Sequence, residues 1–337
     1  MGAVYEIFDP LLPPAQADAM LALCERYGRY GSYAEDKTNA VEFAPELAQR
    51  YDAAANFVRS GGRFGRREDS RMLAVRTNYF RETYCYGSPE IEGIEPFLHH
   101  EGFAQAARKI HGRPVVVPHI VYANLLLPGQ ELAVHTDVPE FRGAHRKRFP
   151  QWLMVVMHHS GLFERWRMPI VTGIAYFESC EGGVLAYYPY GAQGPAETLP
   201  VRHNTAIALD TDSVFHGVDR VAEIRPLPAL RPGMKLRFEG QGRWAVGWPD
   251  EAPLAHYRWG EIRFSVSWKA YCYADEAERR RAEEHTDDLE LDFILDTLVR
   301  DLQRRGRLER RPEDPNELGR SLIDAYVRFP APEPAAG

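Results

Sequence analysis

The sequence predicts an α+β protein with a mainly β core, a sandwich or barrel flanked by helices at both ends. Three observations carry this. From about residue 114 the chain breaks into many short β-rich runs, each bounded by Gly, Pro, Asn or Asp. No helical pattern separates those runs, which argues against a doubly wound parallel sheet. The stretches before residue 114 and after residue 273 have helical grammar instead.

Residues 1–113 read as mostly helical. In PPAQADAMLALCERYG, Pro13 and Pro14 mark a helix start and Gly28 its end. FAPELAQRYDAAANFVRSGG follows the same rule and closes on Gly61 and Gly62. PEIEGIEPFLHHEGFAQAARKIHG predicts one or two more short helices. VVVPHIVYANLLL is then a β-rich run that stops at PGQ, and ELAVHTDV follows it. After the polar, basic loop EFRGAHRKRFPQ come five runs read as strands: WLMVVMHH, TGIAYFE, GVLAYYPY, NTAIALD and SVFHGVDRV. Residues 222–260 are rich in Pro, Gly and Trp and read as irregular.

GEIRFSVSWKAYCY alternates cleanly. Ile262, Phe264, Val266 and Trp268 fall on one face, and Arg263, Ser265, Ser267 and Lys269 on the other. Near the end, Leu291, Leu295, Leu298 and Leu302 form a stripe at helical spacing that packs on the barrel, with a dimer contact as the alternative; Gly306 is its C-cap. APEPAAG reads as a loose tail. The chain is read as a single domain, residues 1–337. It has an N-terminal helical region (1–113), a β core (114–273, interrupted by 222–260) and C-terminal helices (274–329).

The totals narrow the function. With 337 residues, 45% of them hydrophobic, the chain can bury a sizeable core. A net charge of −7 and no basic run longer than three residues give no support to a nucleic-acid partner. Cys24, Cys85, Cys180 and Cys272 are scattered with no CxxC, so they read as reduced thiols of a cytoplasmic protein. MGAVYEIFDPLLPP lacks the basic and apolar regions of a signal peptide. No apolar run approaches the roughly 18–20 residues of a membrane span, so no membrane partner is expected.

The chemistry begins at GQELAVHTDVPEF. His135 and Asp137 are two residues apart at a strand end, so both side chains reach the same side. An imidazole and a carboxylate suit a divalent first-row metal, and two His with one carboxylate mark non-haem Fe(II) oxygenases. A second His must then come from a distant strand. His216, inside the apolar SVFHGVDRV, is the candidate, since an unpaired imidazole is costly to bury there. Taken alone, His135 also fits an ordinary surface or core histidine.

With these residues on the page, the sequence resembles the 2-oxoglutarate- and Fe(II)-dependent oxygenases, which share a double-stranded β-helix (a jelly roll, cupin-like). NLLLPGQELAVHTD is similar to a pattern of several branches, Asn-x-Tyr-x-x-Gly-x-x-Ile-x-x-His-x-Asp. Asn124, Gly129, Leu132, His135 and Asp137 fall in register, and Leu126 stands where the pattern has Tyr. NTAIALDTDSVFHGVDRV looks like the distal-His segment. The resemblance covers roughly residues 115–272.

It implies Fe(2+) held by His135, Asp137 and His216, with 2-oxoglutarate and O2 as cosubstrates. It also implies hydroxylation of a substrate coupled to release of succinate and CO2. Asp137 argues against halogenation, since the halogenating branch has a small residue there. The family's Arg-x-Ser corresponds to Arg263 and Ser265, a guanidinium and a hydroxyl for the remote carboxylate of 2-oxoglutarate. The otherwise plain reading of Arg263 is the polar face of an edge strand. The interval from His216 to Arg263 is longer than the family's, which assigns 222–260 to an insertion, a lid or substrate wall. Arg220, Arg225 and Arg231 are nearer alternatives in turn-like or Pro-flanked sequence.

Tyr122 shares a strand face with Asn124, and one of the pair is a candidate 2-oxoglutarate contact; otherwise they are core, as are Tyr187 and Tyr188. His158 and His159, read as adjacent strand residues, point to opposite sides, so at most one faces the site. Arg142, Arg146 and Arg148 read as a solvated loop or as a receptor for an acidic substrate group. Trp244, Trp248 and Trp259 wall a hydrophobic substrate or pack down the insertion. The expected activity is hydroxylation of a small molecule by a monomer or homodimer. The rivals are a peptide or protein hydroxylase, a non-catalytic cupin-like metal or ligand binder, and a zinc hydrolase using the same three ligands.

Overall fold

The computed structural model describes residues 4–32, 51–65, 75–222 and 230–333. The N-terminal part holds β1 (Tyr5–Phe8), α1 (Pro14–Tyr27), β2 (Arg29–Ser32), α2 (Tyr51–Ser60), β3 (Phe80–Tyr86), β4 (Ser88–Pro89), α3 (Glu95–Leu98) and α4 (Glu101–His111). The long β5 (Val115–Leu126) follows, then β6 (Leu132–His135), β7 (Glu140–Phe141), α5 (Gln151–Ser160), β8 (Arg167–Met168) and β9 (Ile170–Tyr176). Next come β10 (Leu185–Tyr187), β11 (Glu197–Leu199), β12 (Thr205–Leu209) and β13 (His216–Val218). β14 (Lys235–Gly240), β15 (Arg243–Gly247), β16 (Ala255–Arg258) and β17 (Arg263–Tyr273) precede three helices, α6 (Glu276–Glu283), α7 (Leu291–Arg304) and α8 (Pro315–Tyr326).

The strands form a large sheet in the order β1-β12-β9-β17-β5-β3-β2-β14-β15-β16, with β4 on β3, and a small sheet β11-β10-β13-β6. The two sheets share a core: Ile174, Tyr176 and Ile207 from the large one pack with Leu185, Tyr187 and Leu199 from the small one. This is a double-stranded β-helix. Its antiparallel strands alternate between an inner face toward the small sheet and an outer face toward the helices.

β17 displays that alternation most fully. It runs between β5 and β9 over its length. Phe264, Val266 and Trp268 enter the outer core with α1, α3 and α4, whose buried residues include Met20, Phe97 and Phe103. The Trp268 ring lies 5.3 Å from that of Phe103, and its indole N–H donates to Leu98 O at 2.7 Å. Gly173, opposite Trp268 on β9, makes room: a Cβ there would lie 2.8 Å from the Phe103 ring.

Several expectations hold in detail. α1 begins at the predicted prolines and ends at Gly28, which is left-handed at φ 63°. Gly306, at φ 64°, follows the end of α7. Others need correction. WLMVVMHH is helix α5 and not a strand. Pro150 precedes it, Gly161 ends it at φ 69°, and all of Leu153, Met154, Val155, Val156 and Met157 are buried. A helix covered on most sides has no polar face, so its sequence carries no 3.6-residue period.

Among the described residues the first 113 are not helical alone: β1 to β4 also lie there, and two of them extend the large sheet beyond β3 and β12. Residues 222–260 are not irregular in their described part: they add β14, β15 and β16 to that sheet. The α7 stripe is rotated, with Ile294, Leu298 and Leu302 buried and Leu291 37% exposed. Arg225, the start of the helix read from residue 43 and the last four residues lie outside the described residues. All four cysteines are free thiols. No described helix is long and apolar enough to cross a membrane.

Trp268 joins β17 to the helices behind it, so Trp268→Ala is expected to destabilise the fold by about 3–5 kcal/mol in reversible denaturation.

Candidate active site

The cleft between the two sheets brings together all the side chains singled out from the sequence as ligands or cosubstrate contacts. β6 and β13 are antiparallel neighbours, and their register sets His135 directly opposite His216. The imidazole centroids are 4.6 Å apart. In each ring Nδ1 is engaged by a carbonyl two residues back: His135 by Ala133 O at 2.6 Å, His216 by Val214 O at 2.9 Å. That fixes the tautomer with Nε2 as the acceptor nitrogen.

Asp137 lies two residues past the end of β6. Its N–H donates to Thr211 O at 2.7 Å, which holds this turn against the segment after β12. Asp137 Oδ1 sits 3.7 Å from His135 Nε2 and 3.8 Å from His216 Nε2. Two ligands of one ion, each at about 2.1 Å, are at most about 4.2 Å apart, so these separations fit a shared metal. Among the described residues this is the one group of His, Cys, Asp and Glu side chains close enough to hold an ion.

Burial opposes ionisation of Asp137. The Lys269 ammonium, with the His216 and His135 rings beside it, outweighs it and holds the carboxyl well below the usual carboxylate range. Lys269 Nζ donates to Asp137 Oδ2 at 2.5 Å and to Thr172 Oγ1 at 3.0 Å. Burial likewise opposes the charge on Lys269, and Asp137 more than restores it.

At the other end of the cleft stands Arg263, 2% exposed. Its Nε donates to Gly183 O at 2.7 Å, Nη1 to Ser265 Oγ at 3.0 Å and Nη2 to the Tyr176 hydroxyl at 2.9 Å. Three of its five N–H donors are thereby used, and no described carboxylate pairs with it. Tyr122 and Asn124 project from β5 on the same side, since they pair directly with Ser267 and Ser265 of β17. The buried Oδ1 of Asn124 has no hydrogen-bond partner among the described residues.

The remaining candidates separate cleanly. Arg146 lines the cleft, half-buried, and pairs with Glu140 at 3.0 Å; Tyr271 donates to the same carboxylate at 2.5 Å. Arg142 does not face the cleft. Its Nε and Nη2 grip Asp287 at 2.6 and 2.9 Å, and Arg148 reaches Glu290 at 2.7 Å. Both therefore tie this loop to the segment before α7; the reading as solvated surface is corrected for Arg142 and Arg146, while Arg148 is exposed.

His158, on α5, lies between Glu164 and Ser213, and His159 stacks near Phe215, so neither joins the site. Tyr187 and Tyr188 donate to Glu197 and Glu333. Arg220 is 3.8 Å from Glu131, and Arg231 is exposed. Trp244 and Trp259 belong to the outer core, and Trp248 packs against it. No described residue of 222–260 lines the cleft.

Three cleft residues escaped the sequence reading. Thr172 needs the β9–β17 register to be seen. Arg81, whose guanidinium lies 3.7 Å over the Tyr122 ring, needs the β3–β5 register. Lys269 had a signal: it shares the polar face of β17 with Arg263 and Ser265.

No family model and no curated protein matches the chain. Solved structures do resemble it. A Pseudomonas putida prolyl-4-hydroxylase is 13% identical, with 80% of this chain and 93% of that one covered and a TM-score of 0.39. A Trichoplax adhaerens prolyl hydroxylase, in complex with a hypoxia inducible factor oxygen degradation domain peptide fragment, is 11% identical over 82% and 86% at a TM-score of 0.40. SnoK, a non-haem α-ketoglutarate-dependent carbocyclase from nogalamycin biosynthesis, is 10% identical over 84% and 87% at 0.39.

The turn that supports Asp137 also carries Asp212, fully buried and 3.8 Å from Arg167. Burial is the main cause that pushes its carboxyl up to about 7, against the charge of Arg167. An unfolded aspartate loses its proton near pH 4, so from about pH 4 to 7 the folded state holds a proton that the unfolded state has lost. Stability is expected to fall as pH rises through that window. Melting curves of Asp212→Asn should show a smaller fall between pH 5 and 8 than the parent.

Proposed function

We propose that this chain is an Fe(II)- and 2-oxoglutarate-dependent oxygenase that hydroxylates a small-molecule substrate and releases succinate and CO2. The observation that carries this reading is Arg263: a buried guanidinium with no carboxylate partner among the described residues, facing the same cleft as His135, Asp137 and His216. A buried charge is costly unless paired, and an anionic ligand supplies the missing partner.

The donor set fits iron. Two neutral imidazoles and one carboxylate form a facial group that leaves three coordination positions open. Iron(II), when bound there, supplies the oxidising chemistry. The protein does the rest. His135 and His216 present Nε2 because their Nδ1 atoms are committed to backbone carbonyls. Arg263 and Ser265 bind the remote carboxylate of 2-oxoglutarate, with the unused guanidinium donors reaching both oxygens. Asn124 and Tyr122 flank the cosubstrate from β5, and the unpartnered Asn124 Oδ1 is an acceptor for it or for the substrate. The walls of two packed sheets exclude water from the reacting centre.

The small-molecule preference rests on the negative net charge and on the lack of any recognisable peptide-docking module. A zinc hydrolase on the same three ligands would leave Arg263 and Ser265 without a role. A cupin-like binder would hold metal without releasing succinate.

Anaerobic Fe(II) titration with 2-oxoglutarate tests the reading through the weak visible charge-transfer band of the chelate. The parent is expected to show the band, and His135→Ala and His216→Ala to lose it. Arg263→Ala removes charged hydrogen bonds, so its 2-oxoglutarate affinity should fall about 10- to 100-fold, with the band returning at high concentration. Gly183→Ala should weaken binding in the same direction. Gly183 has φ 60°, and a Cβ there would lie 2.8 Å from Arg263 Cδ. No band in folded, iron-loaded parent protein would sink the oxygenase reading. Turnover of a peptide but not of small molecules would move the substrate class.

A further inference from the structure

The strongest unassigned feature of the cleft is Lys269, 3% exposed and in contact with a candidate metal ligand. Lysine is rarely buried to this extent, and ion pairing is the usual condition for it. Here the pairing is built into the sheet. β17 and β9 align Lys269 directly with Thr172. Thr172 Oγ1 accepts from Lys269 Nζ at 3.0 Å, approaches Asp137 Oδ2 at 3.4 Å and is 2.6 Å from Thr211 Oγ1. The Asp137 backbone is anchored separately, by its N–H to Thr211 O. The carboxylate is thus held at Oδ2 by two side chains while its backbone is fixed separately, and its two oxygens differ. Oδ2 faces the ammonium at 2.5 Å, and Oδ1 faces both imidazoles.

We propose that Lys269 is a positioning residue that makes Asp137 a one-oxygen metal ligand: by holding Oδ2 through Nζ, it directs Oδ1 alone at the metal. This rests on the oxygenase reading and extends it. A carboxylate can bind a metal through one oxygen or two. Two-oxygen binding would occupy one of the three positions that a chelating cosubstrate and O2 require. Lys269 removes that option. The metal and Lys269 then share one carboxylate, each taking its own oxygen.

A role in charge balance alone predicts something different. Without the ammonium, a cation would bind more tightly and 2-oxoglutarate chelation would be unchanged. Lys269→Met and Lys269→Gln separate the two. Met offers no donor; Gln offers a neutral donor for Oδ2. Metal affinity is read by Mn(II) calorimetry on metal-free protein, and 2-oxoglutarate affinity is then read on the Mn(II)-loaded form. Lys269→Met is expected to weaken 2-oxoglutarate binding at saturating Mn(II) by about 10- to 100-fold, the usual effect of removing a partner of a ligating group. Lys269→Gln should recover most of that loss. Unchanged 2-oxoglutarate binding in Lys269→Met, or equal losses in both variants, would overturn the proposal.

A crystal structure of the Mn(II)-loaded parent decides the matter even if the Met variant does not fold. Oδ1 on the metal with Oδ2 on Nζ is expected; both oxygens on the metal refutes it. If the parent shows no metal-dependent binding of 2-oxoglutarate at all, the oxygenase reading itself has failed.

Discussion

Strand β17 is buried along nearly its whole length, so each polar side chain along it must be satisfied by the protein or by what enters the cleft. Its outer residues lock to the helices through Trp268 and Phe103. Its inner residues run from Arg263 through Ser265 and Ser267 to Lys269, and they define the two ends of the cleft. A slip of one residue would put Arg263 and Lys269 among the aromatic rings behind the sheet and Trp268 into the cleft. The pairing prevents this over eleven residues against β5 and seven against β9. The cleft therefore inherits its precision from the core behind it, and the arginine end and the aspartate end are set by one backbone.

The small sheet contributes differently. Its strands are short, three or four residues each. What they fix is one registration, His135 against His216. The order of the rest comes from the turn that links Asp137 to Thr211, and from the arginine clamps that hold the following loop against the approach to α7. Helix α5 lies between that loop and the C-terminal helices in a core of its own.

How much of this was legible in the sequence follows from what each signal depends on. The alternation of β17 rests on spacing within a strand; the His135–Asp137 pair rests on a two-residue spacing at a strand end, and His216 was singled out by its apolar segment. α1 was bounded correctly because Pro and Gly act through local backbone preferences. α5 was misread because its burial is tertiary: a run of apolar residues covered on most sides looks the same as a buried strand. Asn124 and Arg263 carried a family pattern, and Tyr122 was found by sharing a strand face with Asn124. Arg81 and Thr172 had no local signal, since only cross-strand register brings them in. Lys269 was visible on the right face, but the partner that gives it meaning lies 132 residues earlier. The strands at 235–258 were masked by the glycines and prolines that separate them.

Those three strands have a consequence beyond the length they add. Without them the large sheet would end at β2, next to β3. With them its free edge moves to β16, four residues of which His256 and Arg258 point outward. An unpaired edge is a template on which a strand of another molecule can grow, and short, charged edges are poor templates. The inserted hairpins thus act as a terminator for the sheet. No described residue of theirs lines the cleft, so the sheet is extended at a distance from the chemistry.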